Sequence, residues 1–253
     1  MNITNLLYNK YYIIRTGDFA TNANKKIIYI TLGLGLCFHD YNVNHTMEYY
    51  YVMFGSSFIW TLIELFLNQQ QIRIIKPMKL NINGITYPLN KYIGITLQGI
   101  QEGGVVTIIG LYFGDRFYSV YYQTLYHLLI AYMITNMVSK THNKKVLSKR
   151  QINTPLSLLL MSSATLWNGV ILYNHPHHIT RAFNMFMSMI YITSIWTYVS
   201  YCKEFRQVEV CIKENNHYKI KEQNCVDAFF ILGYDVLFEI GIAYITFYNL
   251  FIT

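Results

Sequence analysis

The chain has 253 residues and a formal net charge of +7. Hydrophobic residues make up 53% of it and charged residues only 13%, against about 25% charged in an average soluble domain. That deficit, together with long apolar runs, argues against a soluble domain and points to a multi-pass membrane protein. The basic residues lie in short runs between apolar segments, so they read as membrane topology rather than as a nucleic-acid-binding face. There are 24 Tyr but seven Ala, and Asn, Ile and Lys are abundant. This composition suggests an AT-rich coding sequence such as a large DNA virus or a protist carries, which would place the protein in a host or virion membrane in the viral case.

Residues 1–26 are polar and show no signal-peptide pattern, so insertion is expected to rely on the first span. That span is the short run 27–41, followed by the second at 47–67. Between residues 68 and 91, KLNINGITY alternates around Asn83-Gly84. Asn-Gly between alternating runs is a strong hairpin signal, because both residues accept the positive φ of a type I′ turn.

The third span, 92–113, organises the rest. Its 22 residues suffice to cross a bilayer core, which takes ~20. Yet Gln98, Gln101 and Glu102 lie inside it, at offsets that put them on one helical face. A central carboxylate costs roughly 2.5–3.5 kcal/mol on insertion scales, so that face needs protein or water beside it. The span ends in Gly110-Leu-Tyr-Phe-Gly114, a small-xxx-small pattern that allows close helix approach.

The fourth span is 117–138, with His127 near its middle. Thr154-Pro155 reads as an N-cap with proline at the first helical position, opening the fifth span, 155–173, which contains Asn168. The sixth span is 182–202. The polar connection 203–225 contains VEVCI and YKI around Asn215-Asn216, a second expected hairpin. The seventh span, 226–251, is interrupted by Asp227, Asp235 and Glu239.

Lys and Arg sort sharply by connection. One alternating set of termini and loops holds 18 and the other holds 2. The positive-inside rule then places the N-terminus in the cytoplasm and the C-terminus outside. The expected fold is one all-α membrane domain, 1–253, a bundle of about seven transmembrane helices with two small cytoplasmic β-hairpins. The lipid bilayer is its expected partner, with no nucleic acid.

Two polar sets can carry chemistry. Gln98, Glu102, His127, Asp235 and Glu239 fall at mid-depth of spans three, four and seven, and no Lys or Arg lies deep in a span to pair the acids. Such a set marks a proton, cation or solute pathway, or a polar pocket. The plainer account is that these groups bond neighbouring helices. On the opposite surface, His39, Asp40, His175, His177 and His178 share one side, and His with Asp can ligate a divalent metal. The plainer account there is ordinary loop residues.

The cysteines show no C-x-x-C spacing, and neither G-x-x-x-x-G-K, G-x-S-x-G nor H-E-x-x-H occurs. The seven-span plan is similar to that of the progestin and adipoQ receptor family, but that family's H-x-x-x-H is absent. The H-x-x-H-H of fatty-acid elongases is reduced here to H-x-H-H at 175–178. No family is assigned on these patterns. The leading expectation is a transporter or channel-like protein for protons, cations or a small polar solute. The alternatives are a membrane-embedded metal-dependent enzyme acting on lipid-like substrates, and a structural or host-interaction protein.

Overall fold

The computed structural model describes residues 8–17, 21–73, 76–139, 144–214, 217–221 and 225–253. It is mostly helical. Among the described residues, strand β1 (Lys10–Thr16) precedes helices α1 (Ala23–Asn44) and α2 (Glu48–Gln69). The hairpin β2 (Lys79–Ile82) and β3 (Ile85–Pro88) leads into α3, which runs as Lys91–Gly99, a π-helical turn Ile100–Val105, and Val106–Arg116. Helix α4 (Val120–Val138), strand β4 (Val146–Gln151), α5 (Pro155–Asn174) and α6 (Ile179–Cys202) follow. Strands β5 (Arg206–Glu214) and β6 (His217–Lys221) precede α7, which runs as Cys225–Tyr234, a π-helical turn Asp235–Ile240, and Gly241–Phe251.

Local chemistry accounts for several of these boundaries. The side chains of Asn22, Asn90 and Thr154 accept from Lys25 N, Tyr92 N and Ser157 N, capping α1, α3 and α5. Asn83 and Gly84 adopt φ of 51° and 83°, as a type I′ turn requires, and the expected hairpin forms with Leu80 opposite Tyr87. The second expected pair, β5 with β6, also forms, although Asn215 and Asn216 lie outside the described residues.

The sheet is larger than two hairpins. Its order is β4-β1-β5-β6, antiparallel throughout. Strands β1 and β4 were expected to be polar connections. Tyr11 and Ile13 of β1, with Val208 and Val210 of β5, bury against Ala228, Ile231 and Leu232 of α7. Burial against a helix makes these segments strands, and that packing is a long-range effect that their own composition does not announce. Connections from three distant parts of the chain therefore meet at one end, and the Asn22–Lys79 bridge brings the fourth there.

Helix α3 is the axis of the bundle, with every residue from Thr107 to Gly114 buried. Glycine permits its contacts. A Cβ on Gly103 would sit 2.6 Å from Ser56 O of α2, and one on Gly114 would sit 2.8 Å from Met185 N of α6. Helix α5 lies outside, with only Asn168 buried. Its amide donates to Ile242 O at 3.2 Å and Thr246 Oγ1 at 3.1 Å, and Asn249 donates back at 2.9 Å. Large apolar side chains stay exposed around the bundle, including Phe58, Leu128, Leu159, Leu166 and Phe229.

The helices are 19 to 27 residues long. Three of them, α2, α5 and α7, are both long and apolar enough to cross a membrane. The others reach the length but fall short in apolar character.

Candidate functional site

Both π-helical turns carry the acids singled out from the sequence. Glu102 lies in the turn of α3, and Asp235 and Glu239 lie in the turn of α7. A π turn is rare and recurs at functional sites, because it breaks the helical hydrogen-bond ladder and redirects side chains. Here the Tyr244 hydroxyl, one turn beyond the π turn of α7, donates to the backbone carbonyl of Glu102 at 2.8 Å, tying α7 to the turn of α3.

The acids are paired, although no base lies within the spans. Arg73, just past α2, grips Glu102 with two parallel bonds of 2.8 Å and also contacts Glu64. Arg206 of β5 donates to Asp235 Oδ2 at 2.8 Å and to Thr197 Oγ1 at 2.9 Å. Arg150 of β4 donates to Asp235 Oδ1 at 3.0 Å and to Glu239. Burying a carboxylate requires such a partner, and bidentate arginine is the geometry that best supplies it. Strands β5 and β4 deliver Arg206 and Arg150 from 29 to 89 residues away in sequence.

Four of the five expected polar residues are thus brought into one charged cluster. Gln98 joins it, 3% exposed, by donating to Glu102. Arg15 of β1 lies between the two groups, its guanidinium 4.0 Å from Glu102 Oε1. The positive charge of Arg73, then burial, then Arg206 hold Arg15 down to about 9. His127 lies apart. It is exposed on α4, sharing its ring nitrogens with Gln123 O and Tyr191 OH, so it does not belong to the cluster.

A cavity of about 280 Å³ opens beside the cluster. Along α3 its lining runs from Gln98 to Ile109, about 16 Å at 1.5 Å per residue. Its walls include Tyr29, Trp60, Met133, Ile192, Trp196 and Tyr244. Trp60 stacks on Tyr244, with centroids 6.3 Å apart and planes at 12°. Among the described residues the cationic lining is Arg15, Lys25, Lys26, Arg73, Lys76 and Arg206, and Glu102 is the one carboxylate. Arg73 and Lys26 are residues that the sequence reading left among the loop charges. Only the folded sheet shows that they face a cavity.

The expected metal set does not assemble. Asp40 is taken by Arg116 and by Asn44 at 2.7 Å, and His39 pairs with the Tyr112 hydroxyl at 3.2 Å. His175, His177 and His178 pack edge-on or tilted against one another just before α6, and His178 meets Tyr248 OH at 2.7 Å. Among the described residues no group of three or more His, Cys, Asp or Glu is placed to hold a metal ion. Arginine and tyrosine occupy Asp40, His39 and His178, three of the donors that a metal would need.

Neither family models, nor curated proteins, nor solved structures yield a match to this chain.

Proposed function

We propose that the chain is a seven-span integral membrane protein that binds and carries a small polar solute through the cavity beneath its sheet. The N-terminus, the sheet and the cavity mouth face the cytoplasm, and the C-terminus faces outward. The observation that carries this reading is the pair of π-helical turns, one in α3 and one in α7, opening onto one cavity lined by charged as well as apolar side chains. Broken helices that line a polar cavity are the usual way for irregular backbone to be tolerated inside a bilayer.

The membrane assignment rests on three apolar helices, on the exposed apolar girdle, and on the 18-to-2 division of basic residues. The four basic connections gather at the sheet end, in keeping with one cytoplasmic face. A proton or cation route loses support, because arginines neutralise the acids and line the cavity. The lining carries neither His nor Cys among the described residues, which weighs for solute binding over hydrolytic chemistry.

Flux into proteoliposomes tests this reading. A panel of labelled small solutes should include one that crosses faster than in protein-free vesicles, with Trp60→Ala lowering the rate. A panel without any such solute would count against transport. Orientation has its own test. Cys202 and Cys225 are exposed at the sheet end. An impermeant thiol reagent applied outside intact cells should leave both unlabelled.

A further inference from the structure

We infer that the β2–β3 hairpin is a lipid-binding element, its apolar face lying in the headgroup region of an anionic leaflet beside the start of α3. The inference rests on the reading of the chain as a membrane protein, and not on the cavity. Strand residues alternate between faces, and the register pairs Leu80 with Tyr87 and Ile82 with Ile85. Those four therefore share one face, and Asn81 and Thr86 share the other. The inner end of the apolar face is anchored, since Leu80 packs on the cluster of Ala23, Met78 and Ile95. The outer end is bare, with Ile82 50%, Ile85 57% and Tyr87 46% exposed. The backbone of β2 is fixed to the start of α1. Lys79 N donates to Thr21 O at 2.8 Å, Asn81 N donates to Asn24 Oδ1 at 2.8 Å, and Asn24 Nδ2 donates to Asn81 O at 2.7 Å.

Position and charge both select lipid as the occupant. Strand β3 ends at Pro88 and α3 begins at Lys91, so the hairpin is held close to the point where α3 enters the bilayer. The first turn of α3 adds Tyr92 and Ile93, both exposed. The stretch 79–91, KLNINGITYPLNK, holds two Lys and neither Asp nor Glu, and Lys79 and Lys91 are exposed. An exposed apolar patch bordered by lysines, with no acid among them, suits an anionic membrane surface. The lysines need not point into the lipid, because attraction to the leaflet acts over a Debye length. Tyr87 and Tyr92 suit the same depth, since a tyrosine ring sits at headgroup level.

The test uses the full chain, its four cysteines replaced, in phosphatidylcholine nanodiscs with and without phosphatidylserine. A nitroxide is attached to single introduced cysteines. Its relaxation by oxygen, which collects in lipid, is compared with its relaxation by a water-soluble nickel chelate. Ile85→Cys should favour oxygen, and Thr86→Cys on the opposite face should favour nickel. Phosphatidylserine should raise the oxygen preference at position 85, and changing Lys79 and Lys91 together to Gln should remove that rise. Leu166→Cys on exposed α5 reports on the membrane reading itself. Oxygen preference at 166 with nickel preference at 85 would overturn this inference alone. Nickel preference at both would overturn the membrane reading with it. A position 85 closed to both relaxants would assign the face to a protein partner or a second copy, and would also overturn the inference. An oxygen preference at 85 that ignores phosphatidylserine would overturn its anionic part. On the native chain, photoreactive phosphatidylserine should label residues within 82–93, and labelling elsewhere without any in this stretch would overturn the inference.

Discussion

The two ends of the bundle solve the same problem differently. At the end away from the sheet, Arg116 is 5% exposed and Asp40 1%, and they pair directly. Arg116 also donates to Tyr49 OH at 3.0 Å, and that hydroxyl donates to Asp115 at 2.7 Å. Arg181 closes the set by bridging Asp115 and Glu48 at 2.8 and 2.9 Å. Its two guanidiniums are packed among Tyr112, Tyr49 and Tyr248. At the sheet end, four arginines meet four carboxylates, and the neighbouring cavity is lined by two residues, Trp60 and Gln98, that each bury a polar side-chain atom without a hydrogen-bond partner. The contrast separates ion pairs that lock helices together from ion pairs that shape a vacancy. The first are used up by the fold, whereas the second border a cavity.

The largest expected effect is at the locked end. Asp40→Ala leaves Arg116 buried without its carboxylate, a loss of ~3–5 kcal/mol. Denaturation in mixed micelles should show it. Glu102→Gln at the sheet end should cost less, ~1–3 kcal/mol, because Arg73 keeps its contact with Glu64. Equal losses at the two ends would erase the distinction drawn here. Gly103→Ala should fall in a similar range, ~1–3 kcal/mol, because the added methyl meets Ser56 O at 2.6 Å. Asn168→Leu comes next, at ~0.6–2 kcal/mol, through its lost interhelical hydrogen bonds. If melting is unchanged, the amide contacts contribute nothing to holding α5.

The smallest effect has the opposite sign. Arg15 is a base whose folded value, about 9, lies below its ordinary 12.5. Its charge is therefore less favourable in the folded chain than in the unfolded one. That penalty is fully present below about pH 9 and is relieved as pH rises from there toward 12.5. Arg15→Gln should accordingly melt slightly higher than the parent at pH 7 without ligand, with a gap that narrows above pH 9. A lower melting temperature would make Arg15 a structural brace instead.

Much of the frame was legible in sequence because its signals are local. The Thr154-Pro155 start, the Asn83-Gly84 turn and the Gly110–Gly114 spacing each act within a few residues. The closer packing of Gly99 and Gly103 on α2 has the same spacing and could have been read the same way. The grouping of Glu102 with Asp235 and Glu239 was anticipated, but their environment was not. Arg150 reaches them from β4 and Arg206 from β5; the alternation of β5 was legible, but the pairing of both strands with β1, which aims these arginines at α7, is long-range. The π turns carry no local signature here, since IQEGGV and DVLFEI read as ordinary helix. His127 was misplaced because mid-span depth does not reveal the direction in which a helix turns its side chains.

The central proposal is a solute cavity that opens to the cytoplasm. Gln101 lines that cavity and is partly exposed. In a background with the four native cysteines replaced, Gln101→Cys can be labelled with a sulfonate-bearing methanethiosulfonate. The account predicts labelling from the cytoplasmic side in inverted vesicles and protection in intact cells. Labelling from outside would contradict it.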